Sequence, residues 1–393
     1  TKAGTLKELL ESSNNDVTKV KNLKITGSIN VDDFYFMRDE MSVLQSLNLK
    51  EVKIESDDKA DCIPNDALRG KNTLMRLVLP DRLTGIASAA FYECKNLTGS
   101  LIIPEGVIEI GDNAFHLCQA MTGTLQLPTT LKKIDSWAFQ GCGFACELVF
   151  PDNLTYIGDG AFGGCGNLYG SLKLPDQLTY LGEEAFRDCL GMSGSIEIPE
   201  SVTSINTRTF FTYYGNGGFT GNLKLHDGIT SIGESAFNGS GLRGELNLPK
   251  DLVVISVDAF AGCDFTGVLK IPNDVVLIGN GAFAYNWRLM GTVEFPKALL
   301  SIGDGAFINC SSIEGLVFED GIETIGKGAF ENCNGINKIV CKSEVPPLVM
   351  DGAFNGVPKD NFTLEVPESS VYLYQTAPGW SEFKRISAYR NLV

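Results

Sequence analysis

A repeat of 23 to 24 residues runs along most of this chain and constrains its fold more than any other feature. Each copy is marked by a Phe that usually follows an Ala, and only the step from Phe210 to Phe237 is longer, at 27 residues. A period of this size is typical of solenoids, in which one unit cannot bury its apolar face and neighbouring units must stack. The marking residues are Leu68, Phe91, Phe115, Phe139, Phe162, Phe186, Phe210, Phe237, Phe260, Phe283, Phe307, Phe330 and Phe354.

Each repeat also contains a short apolar-x-apolar triplet that predicts a β-strand. The triplet begins fourteen residues before the Phe, as in Leu101-Ile102-Ile103, and its alternation is typical of a strand with one buried face. A Pro follows nine of eleven such triplets and ends the strand, because Pro has no N–H to donate. With similar stretches from Leu23 to Leu364, the sequence predicts one parallel sheet of about fifteen strands.

The second half of each repeat is interpreted as one turn of α- or 3₁₀-helix. An aliphatic residue such as Ile110 lies five residues before the Phe, and a small or acidic pair such as Gly111-Asp112 follows it. An acidic side chain there is expected to cap the turn by accepting backbone N–H groups. The column contains Asp112, Asp135, Asp159, Glu183, Glu234 and Asp304.

The ends differ from the middle and predict a capped solenoid. An amphipathic helix and two strands without the Pro occupy residues 1–50, which we expect to form an N-terminal cap. Residues 51–366 carry the repeats. Residues 367–393 bring together large apolar side chains, including Tyr374, Trp380 and Phe383, and are expected to close the core as a C-terminal cap.

The pattern Leu-x-Gly-x-Leu-x-Leu-Pro-x-x-Leu-x-x-Ile-Gly-x-x-Ala-Phe-x-x-Cys resembles the BspA-like leucine-rich repeats of bacterial surface and secreted proteins, of the Bacteroidetes and treponeme type. The resemblance covers about residues 60 to 366. It implies a right-handed leucine-rich-repeat solenoid, export to the cell surface or periplasm, and binding or adhesion to proteins or host surfaces without catalysis. A few positions depart from the pattern: His226 and Glu319 replace the Pro, and Tyr213, Ser240, Asn286 and Val357 replace the Cys.

The cysteines follow the repeat, which favours buried free thiols over disulfides. Eight of the eleven form one column, three residues after the Phe: Cys94, Cys118, Cys142, Cys165, Cys189, Cys263, Cys310 and Cys333. A small apolar side chain suits such a buried position. Neighbouring members would lie near the strand spacing of about 4.8 Å, which a disulfide can span, so pairing stays open, as does a Cys142–Cys146 bridge.

Enzymatic, metal and phosphate-binding functions find little support in the residues. His116 and His226 are the only histidines, and no paired C-x-x-C motif is present. The Gly-x-Gly-x-x-Gly stretch at 158–163 and the P-loop-like stretch at 321–327 are copies of the repeat. The acidic column tolerates Asn280 and Lys327, which a metal ladder would not. We expect no catalytic residue, no metal and no cofactor.

Charge and hydropathy exclude further classes of partner. With 48 acidic against 32 basic residues the formal charge is −16, which argues against binding to nucleic acid or anionic membranes. No run of about 18 apolar residues is present, so no membrane-spanning segment is expected. The first residues lack the features of a signal peptide, so we expect export with the leader removed, and a lipid anchor is compatible with such a precursor.

Two surfaces are candidates for ligand binding. The middle residues of the strand triplets form one outward row, whose early members Val78, Ile102 and Val149 are apolar, whereas its centre alternates Lys and Glu. The insertion after Phe210 combines Gly with Phe211, Tyr213 and Tyr214, a composition found in binding loops.

The sequence therefore predicts a non-enzymatic extracellular or cell-surface scaffold. It would present an extended face to a protein or glycan ligand, such as host extracellular matrix or a host cell surface. The alternative is a structural surface-layer or spacer protein without a specific ligand.

Overall fold

In the computed structural model, which describes residues 1–13, 15–56, 59–213 and 217–389, the chain forms two compact units. The N-terminal unit is Thr1–Ser193 and the C-terminal unit is Gly194–Val393. Strands pair in parallel throughout both units, in repeats that stack as the leucine-rich-repeat solenoid requires. The predicted domain boundaries at residues 50 and 366 fall inside these units and stay predictions. No helix among the described residues is long and apolar enough to cross a bilayer.

The N-terminal unit begins with helices α1 (Leu6–Ser12) and α2 (Val31–Asp39), separated by a 3₁₀ turn at Val17–Lys19. Its strands are β1 (Asn22–Ile29), β2 (Ser46–Ile54), β3 (Cys62–Ile63), β4 (Arg76–Val78), β5 (Gly85–Ile86), β6 (Leu101–Ile102), β7 (Glu109–Ile110), β8 (Leu125–Gln126), β9 (Lys133–Ile134), β10 (Tyr156–Ile157) and β11 (Tyr180–Leu181). The sheets β1-β2-β4 and β6-β8 contain the predicted triplets, and a second sheet row runs β3-β5-β7-β9-β10-β11.

The C-terminal unit repeats this arrangement and ends in a 3₁₀ turn (Glu368–Ser370) and helix α3 (Val371–Thr376). Its strands are β12 (Ile196–Glu197), β13 (Ser204–Ile205), β14 (Leu223–Lys224), β15 (Ser231–Ile232), β16 (Arg243–Glu245), β17 (Val254–Ile255), β18 (Asp264–Thr266), β19 (Leu277–Ile278), β20 (Gly291–Phe295), β21 (Ser301–Ile302), β22 (Ile313–Phe318), β23 (Thr324–Ile325), β24 (Lys338–Cys341), β25 (Leu348–Val349), β26 (Leu364–Val366) and β27 (Ile386–Ala388). The triplet row is β12-β14, β16-β18 and β20-β22-β24-β26-β27; the second row is β13-β15 and β17-β19-β21-β23-β25.

The Phe residues form the predicted file in each unit. From Phe91 to Phe186, neighbouring ring centroids lie 5.0 to 5.6 Å apart, and from Phe210 to Phe354 they lie 5.2 to 5.6 Å apart, with the rings stacked. All of these side chains are buried. Because these separations are close to the spacing of neighbouring strands, each repeat contributes one ring to a continuous core. The predicted repeat solenoid is confirmed.

The interpretation of the acidic column as helix caps is wrong. The repeats contain consecutive turns with isolated i→i+3 hydrogen bonds, such as Cys94 N to Phe91 O, and no helix occurs among the described residues between 59 and 366. The carboxylate of Asp112 accepts the backbone N–H of Ser136 one repeat later (3.1 Å), and Asp304 likewise accepts that of Lys327 (2.7 Å). At these positions the acidic side chain therefore ties neighbouring repeats together.

The large apolar side chains near the C-terminal end close the core of their unit, as expected. Trp380 is fully buried, its ring centroid lies 5.4 Å from that of Phe354, and its indole N–H donates to Pro347 O (2.8 Å). The hydroxyl of Tyr374 donates to Ser343 O (2.9 Å). Both polar atoms of these aromatics are thus satisfied inside the core, as buried Trp and Tyr require.

Candidate binding surfaces

The apolar candidates of the N-terminal unit lie on the outward face of the triplet row. Val78, Ile102 and Val149 are 42, 61 and 71 % exposed. Successive residues of a strand point to opposite faces, so the flanking Leu101 and Ile103 are buried while Ile102 is outward. This orientation agrees with the alternation in the sequence; ligand binding by these residues stays a prediction.

A shallow cleft lies beside Val149. It has a volume of about 520 Å³ and is lined by residues of two neighbouring triplets, including Gln126, Val149 and Phe150. Gln126 pairs in register with Ile102 on β6. The structure therefore brings Ile102, Gln126 and Val149 to one face, with a polar side chain between the two apolar ones.

The corresponding row of the C-terminal unit is charged. Glu197 and Lys224 are directly paired across β12 and β14, and their side chains form an ion pair. Cross-strand charge pairing is confirmed at this position. Both side chains are exposed, so the pair contributes little to stability.

The insertion after Phe210 places its aromatic residues at the surface of the C-terminal unit. The rings of Phe211 and Tyr213 meet edge to face at 4.9 Å, and Tyr213 is 67 % exposed. By its position Tyr213 falls in the cysteine column, but the neighbouring Thr212 is buried instead and donates its hydroxyl to Gly239 O. Tyr214 lies outside the described residues.

The cysteines are buried and free, which makes them poor nucleophiles. Every cysteine of the column donates its S–H to the carbonyl of the marking residue one repeat earlier, at 3.1 to 3.3 Å. Burial raises the pKa of Cys165, Cys263 and Cys333 to about 12. Since the thiolate is the reactive form, these side chains are structural.

Both histidines are engaged in local contacts. Nδ1 of His116 lies 2.9 Å from Asn113 Oδ1, and burial lowers the pKa of this imidazole. His226 contacts Val202 O through Nε2 and the N–H of Gly228 through Nδ1. Nδ1 of His226 also lies 3.3 Å from Glu200 Oε2. No group of three metal-ligating side chains is found in the part of the chain that the structure describes.

One cleft of the C-terminal unit was not predicted from the sequence. It has a volume of about 400 Å³ and is flanked by the exposed side chains of Tyr285 and Trp287. The available signal was the departure at Asn286, where a polar residue replaces the column cysteine between two aromatic residues. We call this site, lined chiefly by Thr220, Arg243, Asp264, Tyr285, Trp287 and Asn309, the aromatic cleft.

Comparison with known proteins identifies the repeat. The family model described as a BspA type leucine-rich repeat region matches residues 61–193 and 211–337, more than half of the chain, with six copies. No curated protein matches the chain.

Two solved structures are similar to this chain. A leucine-rich repeat protein from Bacteroides ovatus has a TM-score of 0.62 and 21% sequence identity, over 95% of this chain and 96% of that chain. A leucine-rich cell surface protein from Faecalibacterium prausnitzii has a TM-score of 0.43 and 20% identity, over 82% of this chain and 83% of that chain. The first of these likenesses shows the same fold.

Proposed function

Because this chain belongs to the BspA-type leucine-rich repeat family, we propose that it is a non-enzymatic binding scaffold that acts at the cell surface or in the extracellular space. Stacked repeats provide extended surfaces for partners. The family supports an exported location, and burial of all eleven cysteines is compatible with an oxidising environment.

The observation that carries the proposal is the exposed apolar strip of Val78, Ile102 and Val149. A single exposed apolar residue needs no explanation, but three at the same triplet position form a repeated surface. Protein interfaces have an apolar core and a polar rim. We therefore favour a protein ligand on this face, with the polar Gln126 beside the apolar contacts.

Binding to immobilised extracellular-matrix proteins such as collagen and laminin, and to a panel of cell-surface glycans, tests this function. Ile102→Asp and Val149→Asp place a charge in the centre of the strip and are expected to weaken binding at least about tenfold. Val345→Asp is the matched control, because Val345 is 75 % exposed in the C-terminal unit and lies outside the strip.

The opposite result would favour a spacer. If no ligand of the panel binds, and Tyr213→Ala and Tyr214→Ala also leave cell attachment unchanged, the chain is a structural protein of the surface. If binding is seen but Val345→Asp weakens it as much as Val149→Asp, the ligand does not contact the strip.

A further inference from the structure

The aromatic cleft is a prearranged site built around one buried residue. Asn286 is fully buried, and its amide Nδ2 donates to Phe260 O (2.7 Å) and Phe283 O (3.0 Å). The turn is therefore anchored at its centre. Tyr285 and Trp287, on either side of Asn286, are 58 and 62 % exposed.

The backbone holds Tyr285 in place. Its φ is +62°, a left-handed conformation, and its N–H donates to Ile308 O of the next repeat (2.8 Å). One repeat earlier the equivalent position is Gly262, which has no side chain to fill the space beside the tyrosine. This absence of a side chain opens the cleft.

The indole of Trp287 is also fixed. Its Nε1–H donates to Asp264 Oδ1 (3.0 Å), and the other carboxylate oxygen of Asp264 accepts from Arg288 Nη1 (2.9 Å). An aromatic side chain that is exposed and already oriented loses little conformational entropy when a ligand binds. Such rigidity is what a recognition site needs.

Arg243 supplies a positive charge to the same cleft, where its residue pairs in register with Asp264 of β18. It lies on β16, is exposed, and forms no ion pair with any acidic side chain among the described residues. Asp264, the acidic side chain that lines the cleft, is already engaged by Trp287 and Arg288. A guanidinium in this state is suited to a carboxylate, which it can bind through two parallel hydrogen bonds.

The lining favours a sugar over a peptide or a cation. Among the described residues, no Leu, Ile, Val or Met lines the cleft, so the described lining offers no apolar pocket for the side chains that anchor a peptide. Its apolar surface is confined to two aromatic side chains, which suit the flat C–H face of a pyranose, while Thr220 and Asn309 suit its hydroxyl groups. The guanidinium of Arg243 in the lining disfavours a cationic ligand.

We propose that the aromatic cleft binds an acidic sugar residue, with its carboxylate on Arg243 and its ring against Trp287 and Tyr285. The site goes beyond the proposed function, because the strip of Val78, Ile102 and Val149 belongs to the other unit. The proposal for the cleft and the proposal for the strip can therefore fail independently of each other.

Calorimetric titration of the full chain tests the proposal with three probes: methyl glucuronide, methyl N-acetylneuraminide and, as a neutral match to the first, methyl glucoside. Binding of at least one acidic probe is expected at millimolar concentrations, at least about tenfold tighter than the glucoside. Arg243→Gln should remove this preference. Trp287→Ala and Tyr285→Ala should each weaken binding of the acidic probe.

Two control variants separate the cleft from general effects. Arg76→Gln removes the same charge from an exposed position of the N-terminal unit, and Trp137→Ala removes an indole that is 41 % exposed there. Both should bind the acidic probe as the unchanged protein does, and thermal unfolding followed by circular dichroism checks that all variants are folded.

Three results would overturn the proposal: no binding of either acidic probe, equal binding of glucuronide and glucoside, or a preference that survives Arg243→Gln. Binding of a short Glu-rich peptide in place of the sugars would assign the cleft to a protein partner instead. Ile102→Asp should leave sugar binding unchanged. Failure of the acidic probes to bind therefore does not contradict ligand binding on the strip of Val78, Ile102 and Val149.

Discussion

At the scale of single residues, the cysteine column selects a small side chain that can donate a hydrogen bond. A thiol combines a largely apolar body with a weak S–H donor, and in this column it reaches the carbonyl of a Phe one repeat earlier. Asn286 makes the same contact to Phe260 O through its amide. The Oδ1 of Asn286, however, is buried without a hydrogen-bond partner.

This arrangement predicts that Asn286→Cys stabilises the fold. The substitution removes a buried unpaired acceptor and restores the donor found in the neighbouring repeats, so the free energy of unfolding should rise by about 1 kcal/mol. Urea denaturation followed by circular dichroism measures the change. Asn286→Ala is the comparison, because it removes both donated hydrogen bonds and leaves a cavity, and a loss of about 1–3 kcal/mol is expected for it.

A lower stability of Asn286→Cys would contradict this account of the column. A gain in stability would also support a role of Asn286 in the function of the aromatic cleft. Residues that favour function over stability are typical of binding sites, and Asn286 lies between the exposed Tyr285 and Trp287 of the cleft.

At the scale of the elements, the approach of neighbouring turns explains the recurrent glycine before the acidic column. A Cβ added at Gly158 would lie 2.5 Å from Ser136 N and 2.7 Å from Asp135 C in the preceding repeat. The first glycine of the apparent phosphate-binding motif at 158–163 is therefore explained by local packing, because a side chain at Gly158 would require the two backbones to move apart.

Gly158→Ala is accordingly expected to destabilise the N-terminal unit by about 1–3 kcal/mol, as overpacking does. Gly166→Ala is the matched control in the same repeat, since its added Cβ would meet nothing nearer than Asp188 O at 3.7 Å. This control should change stability by less than about 1 kcal/mol. Urea denaturation compares the two, and equal effects would show that the close approach at Gly158 is not what requires glycine.

The elements also show what the sequence can and cannot predict. Phe162 and the triplet at Ile102 repeat at a fixed period, so the file of stacked Phe rings and the row of triplet strands can be predicted directly from the sequence. The second row is not, because a strand of two residues such as Glu109–Ile110 has no alternation to detect. The sequence therefore predicts only that Ile110 precedes a helical turn, because a single aliphatic residue before a turn fits both structures.

The binding surfaces were only partly predictable for a related reason. Outward orientation of Ile102 follows from alternation along one strand. The aromatic cleft instead combines Thr220, Arg243 and Trp287 from different repeats, and their proximity depends on how the turns stack. The insertion further offsets the column at Tyr213, where counting from Phe210 assigns a buried position to an exposed side chain.

At the scale of the whole molecule, those buried thiols whose pKa is raised in the fold couple stability to pH. A thiol in an unfolded chain has a pKa of about 8.5. Burial raises the pKa of Cys165, Cys263 and Cys333 to about 12. Burial also raises the pKa of other cysteines, such as Cys189 and Cys310. Since the folded chain keeps these protons longer than the unfolded chain, stability falls as the pH rises through this interval.

The low thiolate content of these buried cysteines at neutral pH also protects them against oxidation. Thiol–disulfide exchange needs a thiolate with access to its partner, and the column offers neither while the fold is intact. A reagent for free thiols should therefore label the native protein slowly and the denatured protein completely. Rapid labelling of the native column would contradict the burial described above.

The alkaline loss of stability is the sharper test, because its sign and size are both fixed. Below about pH 8.5 the stabilisation from protonated buried thiols is fully present, and above it each such thiol contributes a loss of up to about 1.4 kcal/mol per pH unit until its folded pKa is reached. Urea denaturation at several pH values between 8 and 11 measures the slope.

Cys165→Ala removes one titrating thiol and should make the slope shallower by up to about 1.4 kcal/mol per pH unit. The stability of this variant at pH 7 is lower because of the cavity. Identical slopes for the two proteins would mean that Cys165 does not retain its proton in the folded chain, and the account of the column as a buried, unreactive ladder would then be wrong.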